Sequence, residues 1–346
     1  MVCLMEDRLL LDLQKLETRY SVGRADVHAV RDVSLKVHRG ETLGLVGESG
    51  CGKSTLGYSI LRILPENGRI VNGHCLMEGS DLLSLSEDEL VNYRWSKLSM
   101  IFQGAMNALN PVLRVDDILY EILRAHKDVS RAEAMERIKE LFDLVGLARD
   151  HMTSYAHELS GGMRQRVVIA MSLLCNPSLI IADEPTTAFD VVVQDQILAA
   201  LEGIQDKLGI GMMLITHDIA VIAETCDRVA VMYAGQIVEQ SSTEAIFHAP
   251  AHPYTAAMLN SFPSVRGPAR CLVSLRGAPP DLTNPPLGCA FAPRCPLAVE
   301  QCREANPPLE DLTTDAQHLA RCYFAGSDAV TEAWSAEESQ TGGAGG

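Results

Sequence analysis

Gly47-Glu48-Ser49-Gly50-Cys51-Gly52-Lys53-Ser54 limits what this chain can fold into more than any other stretch, because of what stands on either side of it. The aliphatic run Thr42 to Val46 reads as a short buried strand leading into Gly47, and an apolar pattern at helical spacing from Ser54 to Leu64 stops before Pro65. Strand, glycine loop and helix in that order make a phosphate-binding loop. The glycines let backbone amides turn inward around phosphates, and the helix start adds the positive end of its dipole. Lys53 suits the β- and γ-phosphates and the Ser54 hydroxyl suits Mg²⁺, while Ser49, Gly50, Cys51, Gly52 and Thr55 complete the cradle. The Cys51 side chain reads as a small filler turned away from the phosphates, since only its position argues for reactivity.

A second constraint is Asp183-Glu184, which follows the buried run Leu179 to Ala182. Both carboxylates therefore emerge at a strand end, the edge at which open α/β sheets place ligands. Asp183 suits a Mg²⁺-linked role and Glu184 a water-polarising one. Leu98 to Phe102, Met212 to Thr216 and Arg228 to Met232 read as further buried strands, and Leu9 to Leu16 and Val33 to Val37 as strands of the first part. Residues 105 to 175 are expected to be mostly helical: Val115 to Ala125, then a helix opened by the capping box Ser130-Arg131-Ala132-Glu133 and running to about Val145. Leu159-Ser160-Gly161-Gly162-Met163-Arg164-Gln165-Arg166 closes this stretch and places a serine and two glycines at a helix start, a good setting for an anion.

The 346 residues, 47% of them hydrophobic, suffice for one large core plus a satellite domain. A formal net charge of -16 disfavours general nucleic-acid binding, which needs an excess of Lys and Arg. The longest apolar runs, such as Val167 to Leu174, fall short of the ~20 residues that cross a bilayer, and the acidic start at Glu6 and Asp7 does not resemble a signal peptide. The chain is expected to stay in the cytoplasm, where disulfides are uncommon, so its 10 cysteines need another account where they cluster.

Gly47 to Thr55, Gln103, Ser160 to Gln165, Leu179 to Pro185, Thr187 to Asp190 and Ile215 to Asp218 occur in the order and approximate spacing of an ABC-transporter nucleotide-binding subunit, which residues 8 to 245 resemble. The resemblance implies an α/β P-loop ATPase core with an N-terminal antiparallel β subdomain and a helical signature subdomain, within residues 1 to 250. It also implies that two such domains sandwich two ATP molecules, with Ser160, Gly161, Gly162 and Gln165 of one chain and Asp190 of its D-loop meeting the nucleotide of the other. His217 resembles the family's switch histidine, Gln103 its Q-loop residue beside Mg²⁺ or water, and Tyr20 is the best match for an adenine-stacking ring, with Val27 and His28 as rivals. Two departures stand out: Gly104-Ala105 where the family often has Asp-Pro, and Phe189 where Leu is usual.

Beyond Pro250 the composition turns proline-rich, which argues for a loop-rich appendage in need of a staple. His252-Pro253-Tyr254-Thr255 followed by Cys289, Cys295, Cys302 and Cys322 resembles the oligopeptide/dipeptide importer branch, in which four such cysteines can hold a [4Fe-4S] cluster. Four thiolates suit zinc equally, and inert thiols or a disulfide stay open. Cys3, Cys75, Cys175, Cys226 and Cys271 read as isolated, mostly buried thiols. Residues 251 to 324 form the appendage on this reading, and 325 to 346, poor in apolar residues, a disordered tail.

The resemblance implies an ATPase at the cytoplasmic face of the membrane, partnered by a second ATPase subunit, two transmembrane permease subunits and an extracytoplasmic solute-binding protein. Oligopeptide or dipeptide cargo is expected, with nickel, an oligosaccharide or glutathione as alternatives. A soluble ABC ATPase of DNA repair, translation or cluster assembly is disfavoured by the single ATPase unit, the short helical insertion and the net acidity.

Overall fold

The computed structural model describes residues 8–104, 108–187, 189–261, 275, 277–313 and 317–335. Cys3, Cys271, Ala105 of the Q-loop departure and Ala188 lie outside them, as do residues 336–346 of the expected tail.

Two sheets organise the chain. Strands β1 (Leu9–Val22), β2 (Ala25–His38), β4 (Gly68–Met77) and β5 (Ser80–Asp81) form an antiparallel sheet in the order β2-β1-β4-β5. The other sheet has eight strands: β3 (Thr42–Val46), β6 (Leu98–Ile101), β7 (Leu179–Asp183), β8 (Gly211–Ile215), β9 (Arg228–Tyr233), β10 (Gln236–Ser242), β11 (Glu310–Asp311) and β12 (Leu319–Ala320). Its order is β11-β12-β10-β9-β3-β8-β7-β6, parallel from β9 to β6 and antiparallel at the other end.

Central strands read as unbroken apolar runs because both faces of the sheet are covered. Leu43, Leu45, Ile181, Met213, Ile215 and Met232 join one core with Leu11, Leu13 and Leu35 of the antiparallel sheet and with Leu56 and Ile60 of helix α1 (Lys53–Leu61). Alternate residues Val46, Ile180, Ala182, Leu214 and Val231 join the other core with the helices of the opposite layer. Leu56 and Ile60 are fully buried, and each contributes about 1.5–3 kcal/mol in removing its side chain from water.

A short helix, α2 (Glu87–Val91), precedes β6. The helical stretch then holds α3 (Val115–His126), α4 (Arg131–Leu144), two 3₁₀ turns and α5 (Gly161–Ser172). Ser130 caps α4: its hydroxyl accepts from the Glu133 amide while the Glu133 carboxylate accepts from Ser130, the reciprocal box expected from sequence. Val115, Leu119 and Leu123 of α3 meet Ile138, Leu141 and Phe142 of α4 in one buried cluster. Helices α6 (Val191–Leu208), α7 (Ile219–Thr225) and α8 (Thr243–His248) follow the carboxy-terminal strands.

The proline-rich region is less independent than its composition suggests. Helix α9 (Pro253–Asn260) starts with proline at its first position, where a missing N–H costs nothing, and α10 (Glu300–Glu304) is short. β11 and β12 extend the main sheet at its β10 edge, so the appendage shares the sheet of the ATPase core. Glu239 on β10 is fully buried and accepts from the amides of Ala251 (2.7 Å) and His252 (2.9 Å), with His318 Nε2 2.8 Å away. The expected disordered tail is corrected over part of its length: α11 (Asp328–Ser335) is helical and Val330 is fully buried in the same core as Tyr254 and Ala257 of α9.

Candidate functional site

Strand order places the chemistry. β3, β8, β7 and β6 are parallel neighbours, so the loops leaving their carboxy-terminal ends lie side by side. Those ends carry, in that order, the loop starting at Gly47, His217, the pair Asp183-Glu184, and Gln103. The Glu184 amide donates to Ile215 O at 2.8 Å, which clamps the acidic turn to the strand that ends at His217.

Sterics demand glycine at two positions of the phosphate loop. Gly47 has φ +154°, and a Cβ there would stand 2.0 Å from Met232 O; Gly52 has φ +108°, and a Cβ would stand 2.2 Å from Ala29 O. Gly52 also precedes α1, while Ser49 and Gly50 are exposed in the turn before it. Lys53 is buried, with Nζ donating to Gly47 O at 2.7 Å and Glu48 O at 3.1 Å. Cys51 is buried with its thiol pushed up by desolvation, in keeping with a filler. Tyr20 Oη donates to Thr55 Oγ1 at 3.4 Å, which sets this half-buried ring beside the start of α1.

Glu184 gathers three side chains. Gln103 Nε2 and Thr187 Oγ1 each donate to its Oε2 at 2.8 Å, and His217 Nδ1 lies 3.1 Å from Oε1. Burial disfavours the charged carboxylate, but the bonds from Thr187 and His217 outweigh it and hold the group below its ordinary range. Asp183 is the opposite case. It is fully buried, neither oxygen has a hydrogen-bond partner, and desolvation pushes its carboxyl up, with the Ser54 hydroxyl and Lys53 pulling down and Glu184 adding to the rise. An orphaned carboxylate beside Ser54 is an opening for a cation.

The signature residues stand at another helix start. Ser160 is exposed and caps α5, its hydroxyl accepting from the Met163 amide at 3.3 Å. Gly161 and Gly162 open that helix, Gln165 is buried, and a Cβ on Gly162 would meet Val193 at 2.9 Å, so α5 and α6 approach closely there. Asp190 caps α6 by accepting from the Val193 amide at 3.0 Å.

In the appendage, Cys289, Cys295, Cys302 and Cys322 all line one small apolar cavity of about 10 Å³ with His252, Phe291 and Phe324. Desolvation raises the Cys289, Cys295 and Cys322 thiols, Cys295 to about 12 and Cys322 to about 11. Among the described residues no group of three or more His, Cys, Asp or Glu is placed to hold a metal ion, so the geometry alone does not carry the expected metal centre. Cys75, Cys175 and Cys226 are buried free thiols, as expected. Sequence reasoning missed Thr187 as a partner of Glu184, although its place three residues on was a signal, and it missed Tyr254 and Arg294 beside the phosphate loop, for which a single sequence carries no signal.

With phosphate loop, acid pair and histidine on adjacent parallel strand ends, and an antiparallel sheet and helical arm around them, the chain has the construction of an ABC-type ATPase. It matches the family pattern for the ABC transporter over residues 30–187 and that for the oligopeptide/dipeptide transporter, C-terminal region, over residues 238–302. The chain belongs to the oligopeptide/dipeptide branch of the ABC-transporter ATP-binding proteins. It is 45% identical over 316 residues to the oligopeptide transport ATP-binding protein OppD of Escherichia coli, covering 91% of this chain and 93% of that one. To the dipeptide transport ATP-binding protein DppD of Bacillus subtilis it is 43% identical over 318 residues, covering 91% and 94%. The dimeric structure of MJ0796, a bacterial ABC transporter cassette, superposes with TM-score 0.61 at 28% identity, over 68% of this chain and 99% of that one. Among the described residues no helix is long and apolar enough to cross a membrane.

Proposed function

We propose that this chain is the ATP-hydrolysing subunit of an importer of oligopeptides or dipeptides, bound at the cytoplasmic face of the membrane to two permease subunits and supplied by an extracytoplasmic solute-binding protein. The observation that carries the cargo class is the match of residues 238–302 to the oligopeptide/dipeptide transporter C-terminal region. Two ATP sites form between this chain and a second ATPase subunit. Each takes the phosphate loop of one subunit and Ser160, Gly161, Gly162, Gln165 and Asp190 of the other. The exposed Ser160 at the start of α5 supports this, because its hydroxyl and the helix dipole suit a γ-phosphate brought by the partner.

Within a site, Lys53 and the loop amides hold the phosphates and Tyr20 stacks on the adenine. Ser54, Asp183 and Gln103 would hold Mg²⁺, since neither oxygen of the buried Asp183 carboxylate has a hydrogen-bond partner; the ion would supply charge neutralisation for the phosphates. Glu184, kept ionised by Thr187 and His217, orients the attacking water and accepts its proton. His217 steadies Glu184, and Gln103 links the same carboxylate to the end of β6. ATP hydrolysis by the reconstituted complex is expected to accelerate when the binding protein carries peptide. Acceleration by nickel, an oligosaccharide or glutathione instead would reassign the cargo.

At the four appendage cysteines we place a structural [4Fe-4S] cluster without redox duty. Four thiols around one apolar cavity are the right donor set, and loading requires their deprotonation and closer approach. Anaerobically purified chain is expected to contain iron and sulfide, and Cys302→Ser to lose most of both. Zinc without iron would overturn the assignment.

A further inference from the structure

We propose that the appendage positions the phosphate loop: Arg294 and Tyr254 act through Glu48 as positioning residues for ATP binding. The inference rests on the loop being the ATP site. Glu48 is its second residue, and all of its polar groups are engaged. The Glu48 amide donates to Tyr254 Oη at 2.9 Å, and its carbonyl accepts from Lys53 Nζ at 3.1 Å. Its carboxylate takes both terminal nitrogens of Arg294, each at 2.8 Å.

This pair is well made. The Arg294 side chain is 5% exposed and that of Glu48 27%, so water screens it little, and two parallel charge-assisted bonds fix orientation as well as distance. Arg294 Nη1 also donates to Tyr233 Oη at 3.1 Å. Tyr233 and Tyr254 are almost completely buried, their ring centroids are 4.6 Å apart, and Phe291 packs edge-on against both. The guanidinium thus stands on a rigid aromatic base built from β9, α9 and the turn after Cys289.

Glu48 therefore joins two parts of the molecule. On one side it carries the ammonium of the phosphate lysine; on the other it is gripped by residues more than two hundred positions later in the chain. Without Arg294, its carboxylate is released close to the place where a triphosphate must sit, and like charges repel. The cost falls on ATP affinity more than on the hydrolytic step, because Glu184 is bonded to Gln103, Thr187 and His217, whereas Glu48 is bonded to Tyr254, Lys53 and Arg294. Arg294 directly precedes Cys295, and His252 and Pro253, beside Tyr254, line the cysteine cavity, so the grip is continuous with the thiol-lined wall.

The test uses the full chain assembled in its complex. Arg294→Met is expected to raise the KM for ATP about tenfold, the factor that about 1.4 kcal/mol represents, with kcat within about twofold of wild type. Arg294→Lys, which keeps the charge and loses the fork, falls between the two. Glu48→Gln alone also raises KM, and Glu48→Gln with Arg294→Met is no worse than the poorer single variant, because both remove one interaction. Unchanged KM in Arg294→Met, effects that multiply in the double variant, or loss of kcat with KM intact would each overturn the proposal. Arg294→Lys with a wild-type melting temperature and a raised KM separates positioning from a folding defect; a lowered melting temperature with unchanged KM counts against it. Lys53→Ala in the same assay isolates the premise. If it still binds ATP normally, the loop reading itself fails; if it loses ATP while Arg294→Met stays normal, only the grip fails.

Discussion

Glu184→Gln is expected to retain ATP and to lose steady-state hydrolysis by about 10²–10⁴-fold, the usual worth of a positioned general base. The substitution keeps size and shape, so the neighbours stay: Gln103 and Thr187 each at 2.8 Å from Oε2 and His217 at 3.1 Å from Oε1. It removes the charge that those neighbours are arranged to keep. Bonds from Thr187 and His217 overcome the desolvation of Glu184 and hold it ionised, which is the form that can take a proton from water. Phosphate-loop contacts do not pass through this carboxylate, so affinity survives while the step that reopens the paired subunits is blocked. Size-exclusion chromatography with Mg-ATP is then expected to show a persistent ATP-bound pair, and single-turnover measurements a slow chemical step. Near-normal turnover would remove Glu184 from the role of base.

Much of this site was legible because its parts are local. Gly47 to Ser54 announces itself through a strand before and a helix after, and β3 spans Thr42–Val46 as the aliphatic run indicates. Leu179 to Ala182 and Met212 to Thr216 read correctly as buried strands within one residue at each end, because strands covered on both faces need no alternation. Other elements hid for identifiable reasons. β4 contains Gly68 and Gly73 and buries only Cys75 and Met77, so it carries no apolar run to mark it. The first two strands run to 14 residues each, past the aliphatic segments, since their far ends pair with one another and carry polar side chains.

What stayed out of reach was contact between distant segments. Nothing local in Arg294 foretells its fork on Glu48, and nothing in the proline-rich stretch foretells that Leu319 and Ala320 would pair with β10. Proline density correctly warned against long helices, yet it also concealed how firmly the appendage is sewn to the core. Beyond the buried runs Ala251 to Met258 and Ala290 to Ala292, its buried residues, such as Cys302, Ala320 and Arg321, are spread too thinly to make a periodic pattern. The helix Asp328–Ser335 hid for the same reason, with Val330 as its fully buried residue among small and acidic neighbours.

Asp183→Asn is expected to abolish Mg²⁺-dependent hydrolysis while making the nucleotide-free protein more stable. The two effects have one origin. Asp183 is fully buried at the end of β7, both of its oxygens lack hydrogen-bond partners, and desolvation raises its carboxyl above the ordinary 3.8. A carboxyl held higher in the folded state than in the unfolded one adds stability at low pH, and that contribution is lost as pH rises through the folded value. At neutral pH the nucleotide-free wild type therefore carries a burial penalty that Ser54 and Lys53 offset only in part, whereas asparagine leaves only a neutral amide. The gain should be about 1–3 kcal/mol, the cost of leaving such a group unsatisfied. The variant's advantage in urea midpoint should be largest near neutral pH, shrink as the wild-type carboxyl takes up its proton, and vanish once pH falls below about 3.8. With Mg-ATP the order reverses, because a ligand that binds the native state stabilises it in proportion to its affinity and the wild type alone offers the cation a carboxylate. A variant that is less stable than wild type without nucleotide at neutral pH would show that Asp183 is already compensated, and with it would go the argument that its empty surroundings are shaped for a cation.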